Sequence, residues 1–154
     1  MLADPADQRT LLTLADLDSE VARVQHAARS LPQHKAIADL MSARKTIADE
    51  LVAYTTQTDD LQVSVRKAEA DLVPVKARLE RTEQRVADGS VTDSKILRSL
   101  TEEVGHLKKR IAELEDEQLE VMSRLEDVTA HRDRVAARKG SIEDDLRAEV
   151  AKRD

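Results

Sequence analysis

The sequence predicts an all-α protein: a long, bent antiparallel coiled-coil hairpin with an additional N-terminal helix. Three observations carry that reading. Apolar residues recur at alternating spacings of three and four from Ile37 to Val86, and again from Leu97 to Leu146, with 12 of 15 positions apolar in each track of a chain that is 36% charged. The tracks are separated only by residues 88–95, DGSVTDSK, so the second must return directly beside the first. The composition fits a narrow seam and not a deep core: among 154 residues there is no Phe, Trp or Cys, and Tyr54 is the one aromatic.

Each element follows from local chemistry. Residues 1–8, MLADPADQ, read as a flexible lead-in, because a proline among small polar residues gives little reason for order. Residues 9–31 form a helix with Leu14, Leu17, Val21, Val24, Ala28 and Leu31 on one stripe. Pro32 removes a backbone donor and restricts Leu31, so a kink or break is expected there, with Ser30 capping a new helix. That helix, 32–87, is the first arm of the hairpin. Pro74 lies inside it without disturbing the heptad phase and predicts a bend, through loss of the bond to the Ala70 carbonyl. In the turn, Gly89 supplies left-handed geometry, and Thr92 caps the second arm, 96–153, with Val91 and Ile96 as a hydrophobic staple. Asp93 is the alternative cap.

Antiparallel pairing sets residue i beside residue 183 minus i, so that Val86 meets Leu97 and Ile37 meets Leu146. Polar residues interrupt the seam at Arg44, Thr58, Thr82, Gln118, Arg132 and Lys139. Arg44 falls level with Lys139, and two like charges there must extend outward, toward Glu143. Such layers cost stability and fix register. The 9–31 stripe would need a partner beyond residue 151, which predicts either a homodimer through the 9–31 helix or a chain that is part of something longer.

Composition also narrows the function classes. The net charge of −6 comes from 25 basic and 31 acidic residues mixed along both arms, which reads as a solvated coiled-coil exterior and not as a cationic field for nucleic acid. The acidic N-terminus is unlike a signal peptide, no stretch approaches the roughly 20 apolar residues of a membrane span, and cysteine is absent. A cytoplasmic protein is the expectation, with no membrane and no small-molecule substrate as partner.

Candidate chemistry is sparse. His26, His34, His106 and His131 include no pair at the helical spacing of metal ligands, so no metal site is expected. The carboxylates around Glu113–Glu120 and Glu143–Asp145 lack the burial that would tune them for acid–base work, and no catalytic or cofactor-binding residue is expected. Lys108, Lys109 and Arg110 are the compact basic run and the candidates for phosphate contact; Arg132, Arg134, Arg138 and Lys139 form a looser group. The turn is the better candidate. Ser90, Val91, Thr92, Asp93 and Lys95 present small polar and apolar groups at a fixed, exposed point suited to a protein partner.

The junction VADGSVTDSKILRSLTEEVGHLKKRIAELEDEQLEVM and the opening ADPADQRTLLTLADLDSEVARVQHAARSLPQHKAIADL resemble the bacterial C4-type zinc-ribbon family of coiled-coil proteins, in its actinobacterial form, across essentially all 154 residues. Many members of that family carry proline just before the turn lysine, where Ser94 stands here. The resemblance implies a regulatory or adaptor protein, in some members linked to transcription factors or RNA, and a C-terminal ribbon of four zinc-binding cysteines. That ribbon is absent from this sequence, so zinc is implied only outside it and no residue here inherits a ligand role. Two functions follow as expectations: a non-enzymatic adaptor or scaffold that binds protein, or a nucleic-acid-associated regulator acting through Lys108–Arg110 together with the ribbon.

Overall fold

The computed structural model describes residues 4–153, which form two helices: α1, Pro5–Ala87, and α2, Ser94–Arg153. The all-α coiled-coil hairpin predicted from the heptads is the fold observed, and no strand occurs among the described residues. The chain divides into two compact units, one of residues 50–135 and the other of residues 1–49 with 136–154.

In the 50–135 unit, the ends of α1 and the start of α2 form the closed end of the hairpin. Every track position in this stretch is buried or half-buried, including Leu72, Leu100, Leu114 and Val135 at 5–8% exposure. Burying one such side chain is worth about 1.5–3 kcal/mol, so the seam accounts for the cohesion of the arms. Two of its layers are polar. Thr58 (1% exposed) and Thr82 (6%) tuck their hydroxyls against their own helix, donating to the carbonyls of Tyr54 and Arg78 at 2.9 Å. Among the described residues no buried side-chain nitrogen or oxygen lacks a partner.

Cross-arm contacts fix the register. Arg78 reaches Glu103 with Nε at 2.7 Å and Nη2 at 2.5 Å, Lys76 lies 3.3 Å from Glu115, and Lys108 lies 3.5 Å from Glu83. The numbers of these pairs add to 181, 191 and 191, which centre on 186 and not on the predicted 183. The arms meet three residues away from the expected register, with buried Leu72 level with buried Leu114 and Val86 level with Leu100 where Leu97 was expected. These pairs border the seam from exposed positions, where each contributes about 0.2–1 kcal/mol.

In the other unit, Ile37 and Ile47 are buried at 7% and 2% exposure, and Ile142, Leu146 and Val150 of α2 are half-buried. Arg44 is exposed, and Lys139 is half-buried and pairs with Glu143 of its own helix at 3.5 Å. Burial on α1 begins at Ser30 and Gln33, and residues 4–28 are exposed throughout.

The proline expected to separate two helices lies inside one. α1 passes through Pro32 without interruption, so 9–31 and 32–87 are parts of a single element. Ser30 is therefore not a cap: its hydroxyl donates back to the Ala27 carbonyl at 3.0 Å, inside the turn that Pro32 deprives of a backbone donor. α1 likewise continues through Pro74. Of the predicted lead-in, residues 1–3 lie outside the described residues, and Pro5–Gln8 are already helical. Asp4 explains the early start. Its carboxylate accepts the Ala6 N–H at 3.1 Å and its carbonyl accepts the Gln8 N–H at 3.0 Å, with Pro5 at the first helical position, where a missing N–H costs nothing.

Candidate interaction site at the hairpin turn

The turn is held by two aspartate carboxylates, one at each corner. At its first corner the Asp88 carboxylate accepts the Ser90 N–H at 2.9 Å, while Gly89 takes a φ of 70°, a conformation that closes a helix at no steric cost only for glycine. The Ser90 backbone bond, then the Ser90 hydroxyl, then the charge of Arg85 hold the Asp88 carboxyl below the ordinary carboxylate value. At the second corner the Asp93 carboxylate accepts the N–H groups of Lys95 at 2.8 Å and Ile96 at 3.3 Å, and the Asp93 carbonyl receives Leu97 at 3.0 Å. Asp93, not Thr92, is the cap of α2. The carboxylate wins because its charge also faces the positive end of the helix dipole.

That assignment shifts the surrounding roles by one residue. Ile96 is 49% exposed, and with Asp93 as the cap the two staple positions fall on Thr92 and Leu97 in place of Val91 and Ile96. Ser94 becomes the first residue of α2, where a proline is equally well accommodated. What the turn presents is Ser90, Thr92 and Lys95, all exposed, with Val91 half-buried beneath them. The predicted site residues are thus brought together on one short segment whose backbone is pinned at both ends.

The basic run is less available. Lys108 pairs with Glu83, and Arg110 lies 3.5 Å from Glu113, so Lys109 alone of the three has no acidic partner. In the looser basic group Arg132 sits beside Asp133 at 3.2 Å and Arg134 donates to His131 Nδ1 at 2.9 Å. A shallow groove beside the seam is lined by Gln57, Asp60, Leu61, Arg124, Asp127 and Val128. It is open to solvent along its length, unlike the enclosed pockets that take small molecules. No group of three or more metal-ligating side chains occurs among the described residues, and no described helix is long and apolar enough to cross a membrane.

One contact has no counterpart in the heptad reading. Tyr54 and His131 stack with ring centroids 5.8 Å apart and planes 12° from parallel. Tyr54 holds a seam position and His131 flanks the seam from the other arm, one residue before Arg132. A lone aromatic on the seam with an imidazole at the neighbouring flank was the available signal, but seam arithmetic alone does not reach flank positions.

Known proteins match this chain along most of its length. An uncharacterized protein of Mycobacterium tuberculosis strain H37Rv is 36% identical over 130 residues, covering 84% of this chain and 53% of its own. An uncharacterized protein of Mycobacterium leprae is 31% identical over 130 residues, covering 84% of this chain and 54% of its own. A solved structure from Mycobacterium smegmatis superposes with a TM-score of 0.73 at 30% identity, covering all of this chain and 63% of that one. The chain therefore spans about half the length of the curated relatives it matches. The CT398-like coiled coil hairpin domain matches residues 14–154, and the chain belongs to that family.

Proposed function

We propose that this hairpin is a non-enzymatic adaptor or scaffold that binds a protein partner through the turn. The observation that carries this reading is the construction of the turn itself. Asp88 and Asp93 fix both corners, so Ser90, Thr92 and Lys95 are presented on a backbone that loses little freedom on binding. A photo-crosslinking side chain placed at Thr92 in the native host is expected to give one discrete protein adduct, competed by the unlabelled chain. The same label at exposed Ser64 on the arm is expected to give none. Equal labelling from both positions would sink the proposal.

The competing reading is phosphate contact by Lys108, Lys109 and Arg110, and the unpartnered Lys109 is what favours it. Engagement of Lys108 and Arg110 by glutamates weighs against it, because each ion pair must be given up before a phosphate is held. A salt-dependent RNA or DNA affinity, lost on reversing the three charges, would establish this reading in place of the first. A zinc ribbon, implied by the resemblance, would have to lie outside these 154 residues, since they contain no cysteine. That ribbon would add to either function without involving any residue described here.

A further inference from the structure

Helix α1 carries a second apolar face. Leu14, Leu17, Val21, Val24 and Leu31 are 51–64% exposed, and Ala28 completes their line. At 3.6 residues per turn each residue advances about 100°, which sets this line roughly opposite the line of Ile37 and Leu40 on the same uninterrupted helix. The seam face, followed back from Ile37, runs instead through Gln33, Ser30, His26, Arg23 and Ser19. A helix continuing α2 along its own axis would lie against those polar residues and leave the apolar line bare. An apolar stripe six positions long is more than the scattered surface leucines of an ordinary protein.

We infer that this stripe is covered by the same stripe of a second copy, running antiparallel. The spacing of the six residues, 3-4-3-4-3, reads identically from either end and is therefore self-complementary about a two-fold axis between Ala22 and Arg23. Antiparallel alignment sets Leu14 against Leu31 of the second copy, Leu17 against Ala28, and Val21 against Val24. Each large leucine then meets either its equal or a small alanine. Parallel alignment would stack Ala28 on itself and leave a void in the layer. The flanking acids are compatible: Asp18 approaches Gln25, and Glu20 approaches Ala27, so no like charges are opposed. This surface is separate from the turn, and the two readings can fail independently.

The absence of cysteine makes the register directly testable in the full chain. Leu14→Cys and Leu31→Cys proteins, oxidised as a mixture, are expected to form a mixed disulfide dimer, and neither is expected to cross-link to itself. Self-linking of Leu14→Cys without the mixed product would overturn the antiparallel pairing. Val21→Glu with Val24→Glu, at positions already exposed, is expected to leave the dilute unfolding midpoint unchanged and weaken self-association at least about 100-fold, by burying carboxylates without partners. A wild-type chain that stays monomeric in light scattering up to about 1 mM would overturn the proposal and assign the stripe to a different partner.

Discussion

Two stretches of α1 carry apolar residues at the same alternating spacing and meet different fates. Between residues 50 and 87 the stripe is buried or half-buried against α2; between residues 14 and 31 it stands more than half exposed. Periodicity therefore identifies a face that needs covering but not what covers it. The difference lies in the phase of the stripe round the helix. From Ile37 onward the stripe keeps the side of α1 on which α2 returns, whereas the earlier one takes roughly the opposite side. A single helix can in this way serve one interface within the chain and another outside it.

Substitutions sharpen the contrast, and the largest effects belong to the seam. Leu72→Ala is expected to cost about 2–5 kcal/mol in urea unfolding, because a side chain 5% exposed leaves a cavity. Val24→Ala, at 64% exposure, is expected to change dilute-solution stability by less than about 0.5 kcal/mol. Similar costs at both positions would erase the distinction. Next in size is the cap of α2. Asp93→Ala should cost about 1 kcal/mol and Thr92→Ala nearly nothing, which separates the two cap assignments by thermal or urea melts.

Buried Thr58 gives a smaller effect of opposite sign. The Tyr54 carbonyl that receives its hydroxyl keeps its helical partner, so Thr58→Val leaves no polar group unpaired and is expected to be neutral or stabilising by up to about 1 kcal/mol. A clear loss would show that the hydroxyl specifies the layer. The smallest effect concerns Asp88. Its folded-state carboxyl titrates below the ordinary value, so the contribution is present above that ordinary value and disappears as pH falls through the lower folded-state one. Asp88→Asn should remove this part of the acid dependence of stability while leaving the neutral-pH turn intact.

The hairpin is legible because its signal is long and redundant, 30 seam positions that must agree. The register is not, because a heptad track slid by three residues still sets apolar positions against each other, and the cross-arm ion pairs centre on 186 where 183 was expected. Local signals are less decisive. Pro32 argued for a break, but one lost bond is tolerated in a helix that continues on both sides, and Asp4 with Pro5 starts α1 earlier than a proline among polar residues suggested. Thr92 and Asp93 are both good caps by residue type, and only the carboxylate geometry distinguishes them. At the site, the residues of the turn could be named from the sequence. The rigidity imposed by Asp88 and the pairing of Lys108 with Glu83 depend on distances that spacing does not encode.

Amide hydrogen exchange measured over a range of protein concentrations tests the two-face account most directly. Protection in residues 50–135 should be high and independent of concentration, because that seam lies within one chain. Protection in residues 14–31 should be weak in dilute solution and rise with concentration as the outer stripe pairs. Protection in 14–31 that stays the same at every concentration would contradict the account.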